Sequence, residues 1–154
     1  MGTLKRVFRL GTIEEIRSWI LKSRPPGSRV VMDARYWVLM VPDKGRVAAV
    51  GLRRMTWFAT ELKHVVVSPP ERRQGYGREI LHLALERVRT PLTIATVRAG
   101  SAHWVRVLVE EGFRKVERLG SEGNEVLVLV RRTRGAGGDP PPEPSAPLNA
   151  SGNA

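Results

Sequence analysis

Apolar and polar positions change period several times along the chain, and each change marks an element. Residues 4–10 alternate, which predicts a first strand. Thr12-Ile13-Glu14-Glu15 then has the form of a capping box, with Thr12 as N-cap and Glu15 reaching back to it. Ile13, Ile16, Trp19 and Ile20 follow on one helical face, and that helix must end before Pro25-Pro26-Gly27. Residues 29–40 are strand-forming, most clearly in Tyr36-Trp37-Val38-Leu39-Met40. Pro42-Asp43-Lys44-Gly45 reads as a turn and 47–53 as the antiparallel strand returning from it. The apolar cluster Met55-Thr56-Trp57-Phe58 is expected to be buried, the alternative being a substrate entrance. A third strand is expected at 61–67.

The next stretch changes character twice within a few residues. The β-branched run Val65-Val66-Val67 is stopped by Pro69 and Pro70. Ile80, Leu81, Ala84 and Val88 then recur at helical spacing. Between them lies Arg72-Arg73-Gln74-Gly75-Tyr76-Gly77, with no bulky side chain at either glycine. A strand, a glycine-bearing loop and a helix start aim several backbone N–H groups in one direction. With the positive end of the helix dipole, that geometry binds phosphate, and the spacing suits a pyrophosphate. Arg72, Arg73 and Arg78 add positive charge around it. The spacings G-x-G-x-x-G and G-K-[ST] are absent, which disfavours a dinucleotide-binding or P-loop reading.

After this helix, Thr90-Pro91 breaks the pattern and 92–97 gives a short strand, making a parallel strand–helix–strand crossover. A helix over 101–111 is expected, N-capped by Ser101 and ended by Gly112. Two final strands, 114–119 and 126–131, turn through Gly120-Ser121-Glu122-Gly123-Asn124. From Thr133 onward Gly, Pro, Ala, Ser and Asn dominate. Such a segment cannot offset its ordering entropy by burial, so 133–154 is expected to be a disordered tail behind a single domain over 1–132.

Bulk composition narrows the chemistry. With no cysteine in 154 residues there is no disulfide, thiol nucleophile or thiolate metal site. His64, His82 and His103 show no metal-ligand spacing, so no metal is expected. No apolar run reaches a membrane span and no signal-peptide core is present, so a cytoplasmic protein is the default. The net charge of +11 comes from 26 basic and 15 acidic residues, 21 of the basic ones arginine. It is read either as coding bias or as attraction to an anionic partner, a nucleic acid included. The bases are scattered, not blocked, which weighs against the nucleic acid.

Val67-Ser68-Pro69, Arg72 and Gly75-Tyr76-Gly77 resemble the acyl-CoA-binding signature V-x-P-x-x-[QR]-x-x-G-x-[GA] of the GNAT superfamily of N-acetyltransferases. The order strand, helix, three strands, helix, strand, helix, two strands is also that of the family, over residues 3–132. The resemblance implies an α/β (α+β) fold with a mixed, largely antiparallel sheet of six to seven strands flanked by helices. It further implies acetyl-CoA as acyl donor and direct transfer to a primary amine. The pantetheine arm would pair with the backbone of Val65, Val66 and Val67, and the pyrophosphate would lie on the N–H groups of Arg73, Gln74, Gly75, Tyr76, Gly77 and Arg78. Val65 N–H is the implied oxyanion donor.

Attack by an amine also needs a base or a water chain to one. Glu61 stands at the spacing where histone-acetyltransferase-like members carry a base glutamate; its bland reading is a strand glutamate paired with an arginine. The family commonly has Asn at the position of Ser101, a Tyr acid at Leu108 and, in ribosomal-protein acetyltransferase relatives, Glu at Thr96. Leu108 cannot protonate a leaving group, although a thiol with a pKa of about 8.5 leaves tolerably as thiolate. Ser101 remains a candidate CoA contact. His64, Tyr76 and His103 are read as packing residues first. Two alternatives stay open: an enzyme acting on a nucleic-acid-borne amine, such as an aminoacyl-tRNA or a modified base, and a catalytically silent acyl-CoA-binding module. The acceptor and the oligomeric state are not readable.

Overall fold

The computed structural model describes residues 6–22 and 33–133. The start of the first expected strand, the Pro25-Pro26-Gly27 exit, the start of the second strand and the tail after Thr133 lie outside the described residues. Seven strands form one sheet in the order β1-β2-β3-β4-β5-β7-β6. They are β1 (Val7–Gly11), β2 (Arg35–Val41), β3 (Gly45–Arg54), β4 (Ala59–Val67), β5 (Leu92–Arg98), β6 (Arg114–Leu119) and β7 (Val126–Arg132). Helices α1 (Ile13–Lys22), α2 (Tyr76–Arg87) and α3 (Ala102–Glu110) connect them, with one turn of 3-10 helix at Pro69–Glu71. Every described neighbour pair is antiparallel except β4 with β5. That parallel pair is the crossover expected from the intervening helix.

The sheet has two faces because strand side chains alternate. On β2, Trp37 and Leu39 turn to the larger core, which holds Ile80, Leu81, Ala84 and Leu85 of α2 and Val105, Val107 and Leu108 of α3. Tyr36 and Val38 turn the other way, onto Ile16 and Ile20 of α1. Each fully buried Leu or Ile contributes about 1.5–3 kcal/mol, so α2 is clamped along its length.

The capping box on α1 forms as its sequence implies. Thr12 N–H donates to Glu15 Oε2 at 2.8 Å and Glu15 N–H to Thr12 Oγ1 at 3.3 Å. Ile13 is exposed, so the buried face of α1 is narrower than its apolar spacing suggests. At the other end of the chain, α3 closes in a Schellman motif: Phe113 N–H reaches Leu108 O and Gly112 N–H reaches Val109 O, both at 3.0 Å. Gly112 adopts the left-handed φ of 98° that this motif asks of the residue after the cap. Ser101 occupies the N-cap of α3 but makes no side-chain capping bond, contrary to expectation.

One further expectation, the burial of the Met55–Phe58 cluster, is corrected. Met55 and Phe58 are exposed, at 46% and 41%. They lie in the tight β3–β4 turn, where Thr56 Oγ1 takes the N–H groups of Phe58 and Ala59, and their side chains project away from the sheet. His64 does not follow ideal strand alternation. Ala49 pairs with Val66 and Gly51 with Lys63, so Val50 alone faces both His64 and Val65 in a β-bulge. His64 takes the extra residue's conformation, with φ 50°.

Candidate functional site

The bulge decides the shape of the site. β4 pairs with β5 only from Ala59↔Leu92 to Leu62↔Ala95, whereas β5 pairs with β7 along its whole length. A bulged strand bends, and β4 leaves β5 immediately before His64. Val66 and Val67 stay bonded to β3 through Ala49 and Ala48, while the edge that faced β5 has no strand partner. A wedge opens there, with the backbone edge of Val65–Val67 on one wall.

A cavity of about 630 Å³ fills the wedge. Val65, Val66 and Val67 form one wall, and Arg72, Arg73, Gly75, Tyr76, Gly77 and Arg78 a second. The third wall is α3, through His103, Trp104 and Val107. Gly75 is the N-cap of α2 with φ 84°, and no side chain caps this helix end. The first intrahelical bond runs from Glu79 N–H to Gly75 O at 3.0 Å, so the N–H groups of Gly75, Tyr76, Gly77 and Arg78 have no acceptor within the helix. These orphan donors, at the positive end of the helix dipole, border the cavity.

The side chains around this cradle are not equally free. Arg72 Nε donates to Val67 O at 3.3 Å and ties the loop to the strand end. Arg78 is ion-paired with Glu110 of α3. Gln74, which does not line the cavity, accepts from Lys44 Nζ at 2.6 Å and donates to Glu71 at 3.1 Å. Lys44 also lies over the Tyr76 ring, 5.4 Å from its centroid, and its pKa is raised, chiefly by its bond to Glu71. Tyr76 is buried at 5% exposure and belongs to the core as well as to the cavity wall. Arg73 has a left-handed φ of 66° and a solvent-exposed side chain.

Gly77 differs from Gly75. Its φ is not left-handed, and a Cβ there would meet Val67 Cγ2 at 3.5 Å and Trp104 at 3.8 Å, an ordinary contact. The missing side chain at Gly77 keeps the space between β4 and α3 open; at Gly75 nothing lies within 4 Å and the conformation alone matters.

Glu61 lies on the strand half that remains paired on both sides. It faces Arg53 across β3–β4 and bonds it, Oε2 to Nη2 at 2.8 Å and to Nε at 3.0 Å. Arg53 continues to Asp33 at 3.1 Å, and Asp33 accepts from Lys63 at 2.6 Å. The Lys63 bond is the main reason the Asp33 pKa is lowered, and the Glu61 bond is the main reason that of Arg53 is raised. Glu61 does not line the 630 Å³ cavity. Val65 lies four residues further along β4, about 13 Å at the usual rise.

Ser101 is exposed ahead of α3, outside the lining. Thr96 is exposed just past the last β4–β5 pair, and Leu108 is fully buried in the core. His64 Nδ1 lies 2.9 Å from the hydroxyl of buried Tyr36. His103 and Trp104 were not anticipated as cavity residues. They share the exposed side of the first turn of α3, and only the wedge between β4 and β5 brings them opposite Gly77. Among the described residues no cluster of His, Cys, Asp and Glu could hold a metal ion.

The sequence model described as the Acetyltransferase (GNAT) family matches residues 11–114. A comparison with curated proteins returned no match. Solved structures share the fold. A GNAT family acetyltransferase from Elizabethkingia anophelis with acetyl-CoA bound superposes with a TM-score of 0.68 at 12% identity, covering 84% of this chain and 99% of that one. A spermidine N-acetyltransferase variant from Vibrio cholerae gives 0.71 at 14% identity, covering 83% and 94%. The ribosomal-protein-S18-alanine N-acetyltransferase from Escherichia coli gives 0.67 at 12%, covering 84% and 94%. At such identities the likeness is one of fold.

Proposed function

The chain belongs to the GNAT family of acetyltransferases, and from that premise we propose that it transfers an acetyl group from acetyl-CoA directly to a primary amine. One observation carries the reading: the open edge of Val65–Val67 and the orphan N–H groups of α2 border the same cavity. A cofactor with an extended amide arm and a diphosphate needs both, side by side. Bound there, acetyl-CoA supplies an activated acyl group and a thiol leaving group.

The chain's own residues divide the work. The backbone of Val65, Val66 and Val67 orients the arm, and the N–H groups of Arg73 to Arg78 hold the diphosphate. Val65 N–H, on the strand stretch beyond the last β4–β5 pair, is the donor proposed for the charge that develops on the carbonyl oxygen. Glu61 is proposed as the base. Its carboxylate is oriented by Arg53 at 2.8 Å, and its place along β4 calls for an intervening water. Ser101, whose hydroxyl is not used in capping, is proposed as a cofactor contact. Leu108 offers no proton, so the thiol departs as thiolate.

Thiol release from acetyl-CoA, measured across an amine panel, tests this. The panel includes spermidine and a peptide with N-terminal alanine, the acceptors named for two neighbours of the same fold. The expected result is release that depends on at least one amine. A second reading, a silent acyl-CoA-binding module, draws on the burial of Leu108 where family members commonly carry the acid. Tight CoA binding without release for any amine would favour it.

A further inference from the structure

A second concavity, of about 650 Å³, lies at the opposite end of α2 from the cofactor cradle, about 17 Å away along the helix axis. Five guanidinium groups line it, from Arg35, Arg53, Arg54, Arg87 and Arg89, against the single carboxylate of Asp33. That carboxylate is already held by Arg53 and Lys63. Among the described residues none of the other four arginines is ion-paired. Arg54 and Arg89 donate only to the backbone carbonyls of Thr56 and Glu86, at 3.4 Å and 3.0 Å. Arg87 lies over Trp37, 4.8 Å from the ring centroid.

The β3–β4 turn that follows Arg54 exposes Met55 and Phe58 and leaves Trp57 half-buried. Trp57 and Phe58 meet edge to face with centroids 5.3 Å apart. Arg54 precedes them in the turn, and Phe58 O accepts Leu92 N–H at 2.8 Å, which fixes the turn beside Arg89 and Thr90. Helix C-terminal dipole neutralisation accounts for one cation here. It does not account for four guanidinium groups around one hollow with no carboxylate partner among the described residues, nor for an exposed Phe58 against a half-buried Trp57 in the turn that follows Arg54. Spread cations with adjacent ring faces match a chain of phosphates carrying unpaired bases.

We propose that the Arg35–Arg54–Arg87–Arg89 concavity and the Trp57–Phe58 turn form a binding site for single-stranded nucleic acid, separate from the cofactor cavity. The guanidinium groups take the phosphodiester backbone and the turn supplies a stacking platform for a base. This goes beyond acyl transfer, and it stands or falls independently of the amine acceptor.

Fluorescence anisotropy with a labelled single-stranded oligouridylate of about 12 nucleotides tests it, with thermal melting of each variant as the folding control. Binding is expected at low salt, weakening as salt rises. The Arg54→Ala/Arg89→Ala double variant should weaken it at least tenfold and reduce the log–log salt slope by about 1.4, or about 0.7 for each lost contact. Trp57→Ala should weaken it by about fivefold or more without changing the slope. Arg114→Ala/Lys115→Ala, on exposed β6, should leave it unchanged. Four outcomes would overturn the proposal: no binding at low salt, equal loss from the β6 pair, no effect of Trp57→Ala, or equal binding of polyglutamate.

Discussion

The hydroxyl of Tyr36 and Nδ1 of His64 meet at 2.9 Å across β3, with their rings stacked 16° from parallel, because Gly51 between them has no side chain. A Cβ on Gly51 would lie 2.8 Å from Tyr36 Cε1 and 3.0 Å from Lys63 O. The ring could turn aside only by losing its contact with His64, and the carbonyl belongs to the residue before the bulge. Gly51→Ala should therefore cost about 1–3 kcal/mol, and Tyr36→Phe about 1 kcal/mol. Urea unfolding measures both. A neutral Gly51→Ala would mean that the bulge does not depend on this close approach.

Glu61 has two readings that kinetics separates. As the base, its replacement by Gln should lower kcat/KM by about 10²-fold or more, with the affinity for acetyl-CoA unchanged. As only the partner of Arg53, it should affect stability and leave turnover alone. Measuring kcat/KM, acetyl-CoA affinity and the melting temperature on the same Glu61→Gln preparation decides between the two.

Arg73 occupies a backbone conformation that costs a residue with a Cβ about 1–2 kcal/mol. Arg73→Gly should raise stability by about 1 kcal/mol. Arg73→Ala, which keeps the strain, should give no such gain. Chemical denaturation of the two variants side by side provides the comparison, and an equal response would remove strain as the cause.

Acid sensitivity should concentrate on the start of α1. The Glu15 pKa is lowered from 4.5 to about 2, first by its bond with Arg9 and then by that with the Thr12 backbone. A depressed folded-state value stabilises above the unfolded pKa, and the contribution fades as pH falls from near 4.5 towards 2. Melting temperature should drop across this window, and less steeply in Glu15→Gln. Parallel curves for the two proteins would contradict the assignment.

What could be read from residues alone follows their physics. Local signals were legible: the Thr12–Glu15 box needs only a spacing of three, and the helix through Ile80, Leu81 and Ala84 announces itself by periodicity. The element order and the single parallel crossover were legible, but the place of β7 between β5 and β6 rests on pairing between distant segments and was not. The bulge at His64 was not legible, since it arises from pairing between distant strands and no residue there requires it. With the bulge hidden, the outward side of His103 and Trp104 could not be linked to Gly77. The exposure of Met55 and Phe58 was misjudged because apolarity was weighed above the geometry of a four-residue turn between Arg54 and Ala59. Ser101 could be placed at a helix start, but not the direction of its hydroxyl.

The cofactor cradle is tested most directly by calorimetric titration of acetyl-CoA into the protein and into a Gly75→Val/Gly77→Leu double variant shown to be folded by circular dichroism. The first substitution forbids the φ of 84° that sets the helix N-cap, and the second fills the space beside Val67 and Trp104. Saturable binding to the unaltered protein, weakened at least about thirtyfold (~2 kcal/mol) in the double variant, is the expected result. Undiminished affinity in the folded variant would contradict a cofactor site between β4 and the start of α2.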